Sequence, residues 1–297
     1  MRAAVALPFA VFALLAAGGG LAGCSEAPQT PALSDSARVA LDTMSSFPAR
    51  FVAPIEEAHA DSVWRQQDAL AAELTGRFGG GPTLDGRLLM ETGRDGRVRL
   101  EAGGDTVAVF DGRRAWVAPD TAALPDARVQ LRTWPYFLAA PYKLRSPGTR
   151  FTRRGRMPIQ QASPQDDAAF DETMPAARLT FASGGGPGDG PGDRYVLYRD
   201  PQSGRLAAMG YFASDSAEDT TAGETTSPHA VVYGGYETVS GVPVPTRWTF
   251  HDWSKTKGPH GDPVGRVTLR DPRFTTPPDS AFVPPPGAER SFLPADS

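Results

Sequence analysis

Apolar and polar residues alternate with a period of two from about residue 68 to residue 274, in short segments separated by turn residues. Examples are "DGRLLMETG", "GRVRLEAGG" and "DTVAVFDG", with Asp-Gly turns at Asp95-Gly96 and Asp111-Gly112. Such alternation is typical of antiparallel strands with one buried face, and Asp-Gly favours tight hairpins. The sequence therefore predicts a mostly β fold with minor α, a single curled antiparallel sheet or incomplete β-barrel of about ten or eleven strands.

Two regions depart from this alternation and predict short helices. Before the strands, "SDSARVALDTMSSF" and "IEEAHADSVWRQ" place apolar residues near helical spacing, and Pro48 is expected to end the first. In the centre, "RTWPYFLAAPYKL" is expected to be helical in part, interrupted at Pro135 and stopped at Pro141. Because such apolar segments must be buried against another apolar surface, we expect the helices to plug the concave face of the sheet.

The first residues of the chain have the pattern of a lipoprotein export signal. Arg2 precedes the uncharged run "AAVALPFAVFALLAA", which is too short to span a ~30 Å hydrocarbon core but suits a signal peptide. Leu21-Ala22-Gly23-Cys24 then resembles the lipobox of bacterial lipoproteins, in which the cysteine thiol takes a diacylglyceryl group. We expect residues 1–23 to be a signal peptide and Cys24 to be lipidated; the alternative is a plain secretory signal that ends near a cysteine.

This signal sets the expected domain organisation and location. Residues 24–34 are predicted to be the lipidated N-terminus and a linker, residues 35–275 the folded domain, and residues 276–297 a proline-rich tail that is loose or lies along the surface. The acyl chains on Cys24 would hold the protein to a membrane, since stable anchoring takes more than one chain. Ser25 follows in place of the Asp of the familiar retention signal, which favours the outer membrane, facing the periplasm.

Composition narrows the function classes. The chain carries a formal net charge of −4, and loss of Arg2 with the signal makes it slightly more acidic, which argues against nucleic acid as a partner. The single cysteine excludes an internal disulfide. The 32 glycines and 29 prolines fit a fold with many turns.

The sequence offers little that would support catalysis or metal binding. "HDWSKTKGPHGD" places His251, Asp252, His260 and Asp262 close together, but the gap between its histidines is loose for zinc. No Gly-x-Ser-x-Gly elbow and no phosphate-binding Gly-Lys-Ser/Thr loop occurs, and acylation of Cys24 would remove the only thiol. We therefore expect a non-enzymatic protein without a metal or another cofactor.

Aromatic residues provide the candidate binding site. They crowd the central irregular segment, and one more lies in a predicted strand. These candidates are Trp116, Trp134, Tyr136, Phe137, Leu138 and Tyr142. They are either ordinary core residues or the lining of an apolar cavity, and the sequence does not decide between the two. We expect Trp134, Phe137 and Leu138 to face the sheet, with Trp116 among the residues opposite.

Five stretches, in their order along the chain, resemble the LolA/LolB-like superfamily of lipoprotein carriers, and more closely a set of uncharacterised bacterial lipoproteins with that fold. They are "HADSVWRQQDAL", with His59 and Trp64, "VFDGRRAWV", "WPYFLAAPYKLRSPG", "YVLYRDPQSGRLAAMGY" and "HAVVYGGYETVSGVPVPTRWTFHDW". The resemblance covers roughly residues 55 to 275. It implies an incomplete barrel with helices in its opening and an apolar cavity that receives acyl chains.

The sequence thus leads to two functional hypotheses. The first is a membrane-anchored lipoprotein that binds an acyl chain or lipid in a half-barrel cavity and serves envelope lipid or lipoprotein handling. The alternative is a tethered interaction or envelope-sensor module that has a filled interior and binds an envelope protein.

Overall fold

The computed structural model describes residues 46–81, 83–93, 96–124, 127–160, 172–182, 194–212 and 228–292. The expectations for the signal peptide, Cys24 and the linker lie outside these residues, as does nearly all of the first predicted helix.

Thirteen strands form one antiparallel sheet that is not closed into a barrel, in the order β13-β5-β4-β3-β2-β1-β12-β11-β10-β9-β8-β7-β6. The mostly β fold and the single sheet are confirmed, with more strands than expected. The strands are β1 Ala69–Phe78, β2 Leu84–Glu91, β3 Val98–Ala102, β4 Val107–Phe110, β5 Ala115–Ala118, β6 Thr149–Ile159, β7 Glu172–Phe181, β8 Arg194–Arg199, β9 Leu206–Phe212, β10 His229–Val239, β11 Val242–Ser254, β12 Gly258–Thr275 and β13 Glu289–Ser291.

The helices are short, and two of them carry in their first turn a proline that was expected to mark the end of a helix. They are α1 Phe47–Ala58, α2 Asp61–Trp64, α3 Ala127–Ala139, and the 3-10 turns Ala140–Tyr142 and Asp279–Phe282. Pro48 lies in the first turn of α1 and Pro141 in the first turn of Ala140–Tyr142. Proline is tolerated there because a first-turn N–H has no helical partner to lose.

The expected interruption at Pro135 was wrong, because α3 continues through this residue. Proline inside a helix removes one backbone hydrogen bond. Here α3 buries Leu131 and Leu138 in the main core, at 1% and 0% exposure. Burial of such side chains stabilises by roughly 1.5–3 kcal/mol each, which offsets the lost bond.

The sheet is packed on both faces, and the larger core lies between one face and the helices. This helix-covered face includes Leu70, Leu100, Leu197 and Phe250. A second cluster on the opposite face includes Tyr198, Phe212 and Trp253. The strand β8 contributes to both clusters, which explains why its residues read as a continuous apolar run and do not alternate.

The hairpin of β11 and β12 closes over the opposite face. The Trp253 indole N–H donates to the Tyr198 hydroxyl at 2.8 Å, and the Gln160 backbone N–H donates to the Pro259 carbonyl at 3.1 Å. At Gly258 an added Cβ would lie 1.8 Å from the Pro158 carbonyl oxygen. The turn of the hairpin therefore rests directly on the backbone at the end of β6.

The proline-rich tail is part of the fold as far as the structure describes it. Its strand β13 pairs with β5, and Phe282 is buried at 3% exposure. The Arg97 guanidinium lies 4.8 Å from the centre of the Phe282 ring and pairs with Asp279 at 3.0 Å. The tail thus covers one edge of the sheet, which would otherwise present unpaired backbone groups.

No helix in the described residues is long and apolar enough to cross a membrane; α3 has 13 residues.

Candidate apolar ligand-binding site

Helix α3 lies on the helix-covered face and is fixed there by aromatic contacts and one buried hydrogen bond. The Trp134 and Phe137 rings each lie 5.6 Å from the Phe250 ring, between centroids. The Tyr233 hydroxyl donates to the Phe137 carbonyl oxygen at 3.0 Å. Together with the fully buried Leu138, these contacts place the apolar side of α3 against the strands.

Six aromatic side chains meet at the end of the sheet where β1 finishes, and we call them the aromatic rim. Its members are Phe78, Trp134, Phe137, Tyr211, His229 and Phe250. Ring centroids are 5.3 Å apart for Phe78 and His229, 5.5 Å for Phe78 and Phe250, 6.1 Å for Tyr211 and His229, and 5.2 Å for Phe137 and Tyr211. Five of the rings therefore form a closed circuit of contacts, and Trp134 joins it at Phe250.

The aromatic rim is buried at its base and open at its top. Phe250 and Phe137 are 0% and 3% exposed, whereas Phe78 is 37% exposed and Trp134 is half-buried. Burial raises the pKa of the Tyr211 phenol well above its usual range, so Tyr211 stays neutral. The result is an aromatic surface that remains accessible at one side, where His229 Nε2 lies 3.8 Å from the Asp252 carboxylate.

One polar group of the rim has no partner. The Trp134 indole N–H is buried and donates to no acceptor among the described residues. A buried donor without an acceptor costs roughly 1–3 kcal/mol. A carbonyl, ester or carboxylate oxygen of a bound molecule would satisfy it.

Of the other candidates from the sequence, Tyr136 borders the rim at Phe137, with ring centroids 6.4 Å apart, and Tyr142 lies apart from it. Tyr136 packs on Tyr195, with ring centroids 5.4 Å apart. Tyr142 stacks flat on Trp64, at 4.0 Å and 1° between ring planes, and its hydroxyl donates to the Pro243 carbonyl at 3.3 Å. The central aromatic segment therefore supplies residues to separate parts of the core.

Trp116 is on the opposite face of the sheet, and its expected place across from α3 was wrong. Its strand neighbours Ala115 and Val117 belong to the helix-covered core. Because successive side chains of a strand point to opposite faces, Trp116 projects away from α3. There its indole N–H donates to the Asp111 carboxylate at 2.9 Å.

His59 and Trp64, the pair identified by resemblance, belong to a buried cluster with Tyr142. The His59 ring is 0% exposed, and its Nε2 accepts a hydrogen bond from the Leu206 backbone N–H at 3.0 Å. Burial, assisted by the nearby charge of Arg205, lowers the pKa of His59 to about 3, so the ring stays neutral. The hydrogen bond ties the end of α1 to the start of β9.

The two histidines of "HDWSKTKGPHGD" form hydrogen bonds within the hairpin, and the Asp252 carboxylate lies 3.8 Å from His229 Nε2 on β10. The two ring nitrogens of His251 lie 3.1 Å from the Gly261 carbonyl oxygen and 2.9 Å from the Thr249 hydroxyl. His260 Nδ1 lies 2.9 Å from the Gly258 carbonyl oxygen. In the part of the chain that the structure describes, no three His, Cys, Asp or Glu side chains converge as metal ligands.

Four members of the aromatic rim were missed by sequence reasoning. Phe78, Tyr211, His229 and Phe250 occupy ordinary positions in or at the ends of predicted strands. They meet because β1 pairs with β12, β12 with β11, and β10 with both β11 and β9. The register of such non-local pairs has no local signal in a single sequence.

No protein-family model matches the chain, and no curated protein matches it. Solved structures similar to it include a LolA superfamily protein of Nitrosomonas europaea. The two sequences are 12% identical, the match covers 76% of this chain and 94% of that chain, and the TM-score is 0.47. A DUF1329 family protein of Desulfovibrio piger has 11% identity, coverages of 77% and 97%, and a TM-score of 0.46. A putative outer membrane lipoprotein-sorting protein domain of Vibrio parahaemolyticus has 10% identity, coverages of 77% and 94%, and a TM-score of 0.45. These likenesses concern the fold, and they carry no conclusion about function.

Proposed function

We propose that this protein is a lipid-anchored, non-enzymatic lipoprotein of the cell envelope that binds an apolar chain at the aromatic rim. The ligand class is an acyl chain, either of a lipid or of a lipoprotein. The observation that carries the proposal is the closed circuit of aromatic rings that is buried at its base and accessible at Phe78.

The chemistry of the rim suits an acyl chain with a polar end. Covering exposed aromatic surface with hydrocarbon contributes about 25 cal/mol per Å² removed from water. The unpaired Trp134 N–H would donate to the carboxylate or ester oxygen of the ligand, which removes the cost of a buried donor without an acceptor. The rim itself supplies no charged carboxylate or guanidinium that the hydrocarbon would have to desolvate.

The Phe78→Ser variant is expected to weaken binding of a fluorescent fatty acid about tenfold, because it removes the accessible ring of the rim; tenfold corresponds to about 1.4 kcal/mol. Fluorescence titration of the purified protein measures the dissociation constant. Val283→Ser is the matched control, since Val283 is an exposed apolar residue, at 58%, outside the rim. Equal affinities for wild type and Phe78→Ser would contradict binding at the rim.

Anchoring through Cys24 is the second part of the proposal, supported by the lipobox Leu21-Ala22-Gly23-Cys24. The Cys24→Ser variant is expected to lose its glyceride-linked mass at the N-terminus and to appear as a soluble or uncleaved form. Fractionation of cells and mass spectrometry of the N-terminal peptide measure this. A Cys24→Ser protein that is cleaved normally and stays bound to the membrane would refute the anchor. Because Ser25 follows the cysteine, we place the anchor in the outer membrane, facing the periplasm.

A tethered protein-interaction or sensor module is the second candidate, and the packing of α3 favours it. Leu131, Phe137 and Leu138 fill space on the helix-covered face with the chain's own side chains. On this hypothesis the described core holds no ligand, and recognition takes place on the surface. Absence of fatty-acid binding in wild type, together with binding of an envelope protein, would favour this candidate over the first.

A further inference from the structure

The strand β6 forms an edge of the sheet. It pairs with β7 along its length, and its end, from Pro158 to Gln160, contacts the start of β12 at Gly258 and His260. In an edge strand, every second backbone N–H and C=O points away from the sheet. Apart from the part beside helix α1 and the end that β12 covers, one side of β6 therefore offers backbone donors and acceptors.

Positive charge is concentrated at this edge, although the whole chain is acidic. The strand β6 itself contains four arginines and no Asp or Glu, in a chain of net charge −4. Three exposed arginines of β6 are Arg150, Arg153 and Arg156. The edge is thus a local cationic stripe.

Several arginines on the other half of the sheet pair with carboxylates, unlike these three. There, Arg87 pairs with Glu73, Arg97 with Glu91, and Arg99 with Glu101. On β6, no carboxylate of the described residues contacts Arg150 or Arg153, and Arg156 donates to the Thr173 hydroxyl at 3.0 Å. Among the described residues, Arg150, Arg153 and Arg156 are therefore not paired with a carboxylate.

The arginines lie on both faces of β6. Arg153 is opposite Ala177, which belongs to the helix-covered core, and Arg150 is opposite Thr180, whose register neighbour is Arg194. Positions three apart on a strand point to opposite faces. A bulge between Arg153 and Gly155 puts Arg156 on the same face as Arg153. A strand added beside β6 would accordingly meet Arg150 on one face and Arg153 and Arg156 on the other.

Charged side chains at an edge commonly prevent a sheet from pairing with another copy of itself. Like charges on two β6 edges repel in the same way, but an acidic strand is attracted to this edge. The repulsion that excludes a second copy of the chain therefore selects for a partner of opposite charge.

We propose that the β6 edge binds an extended acidic segment of another protein by strand addition. Backbone hydrogen bonds supply affinity and Arg150, Arg153 and Arg156 supply specificity, as in other cases in which a peptide extends a sheet. An anionic membrane surface would satisfy the arginines but leave the line of backbone groups unpaired. The proposal goes beyond the aromatic rim and uses a separate surface.

A synthetic peptide of repeated Thr-Glu-Val units tests this proposal, because its successive glutamates fall on alternate faces of an extended strand and so reach arginines on both faces of β6. It is titrated against the purified protein in a mild non-ionic detergent. The variant R150Q/R153Q/R156Q is expected to bind the peptide at least about tenfold more weakly than wild type. The variant R77Q/R266Q/R270Q removes the same charge from exposed positions of β1 and β12 and is expected to bind like wild type.

Two further probes separate strand addition from simple charge attraction. A peptide of the same sequence with alternate backbone N-methylation keeps its charge but loses hydrogen bonds, and it is expected to bind at least about tenfold more weakly than the unmodified peptide. Equal binding of both peptides, or an equal loss in the two arginine variants, would overturn the proposal. The proposal would also be overturned if R150Q/R153Q/R156Q bound the peptide like wild type and bound only phosphatidylglycerol vesicles more weakly. Fatty-acid binding by this variant should equal that of wild type, so failure at the edge and failure at the rim are distinguishable.

Discussion

The Phe137→Ala variant is expected to lower the free energy of unfolding by about 3–5 kcal/mol, the usual cost of Phe→Ala in a close-packed core. Phe137 is 3% exposed, and its ring contacts the rings of Tyr136, Tyr211 and Phe250. The substitution removes the base of the aromatic rim, so fatty-acid binding is expected to fall with stability. Urea unfolding and fluorescence titration measure the two effects.

Phe212→Ala is the matched control for this variant. Phe212 is 2% exposed and packs edge-on against Trp253, 4.7 Å between centroids, in the cluster on the opposite face. It should cost a similar amount of stability and leave fatty-acid binding of the folded protein unchanged. A cost well under about 3 kcal/mol for Phe137→Ala, with binding retained, would mean that Phe137 lines open space and is not packed as described.

The Gly258→Ala variant is expected to destabilise the β11–β12 hairpin severely. The added Cβ would lie 1.8 Å from the Pro158 carbonyl oxygen, and the φ of Gly258 is +66°. A contact with backbone cannot be relieved by rotation of a side chain, so the hairpin or the end of β6 must move. We expect a loss of about 4 kcal/mol or more, at the upper end of single substitutions.

Gly261→Ala separates the contact from the backbone strain. Gly261 lies in the same hairpin with a φ of +76°, and an added Cβ would meet nothing within 4 Å. This control is expected to cost only the ~1–2 kcal/mol of a left-handed alanine. Thermal or urea unfolding of both variants gives the difference, and equal losses would show that the turn does not rest on Pro158.

The fold was predictable in its class because the relevant signals are local. Period-two alternation in segments such as "GRVRLEAGG" and the turn at Asp111-Gly112 predict hairpins between chain neighbours. Helix limits were less predictable. Pro48 lies in the first turn of a helix, and Pro135 lies inside a helix. A proline is found at both kinds of position, and tertiary burial of residues such as Leu138 decides whether a helix continues through it.

The candidate site was predictable only in the part supplied by one segment. Trp134 and Phe137 stand out because they belong to an aromatic cluster in the sequence. Phe250 and Tyr211 join them through strand pairings that no local pattern specifies. Trp116 was assigned to the wrong face of its strand. Alternate residues of a strand lie on opposite faces, and the sequence does not show which of the two faces the helices cover.

The most direct test of ligand binding at the rim is photo-crosslinking with a fatty acid that carries a diazirine on its chain, followed by mass spectrometry of the peptides. The account predicts that crosslinks concentrate on peptides containing Phe78, Trp134, Tyr211 or His229, and that excess unlabelled fatty acid removes them. Crosslinks confined to other peptides, such as that of Trp116 on the opposite face, or an absence of competable crosslinks, would contradict it.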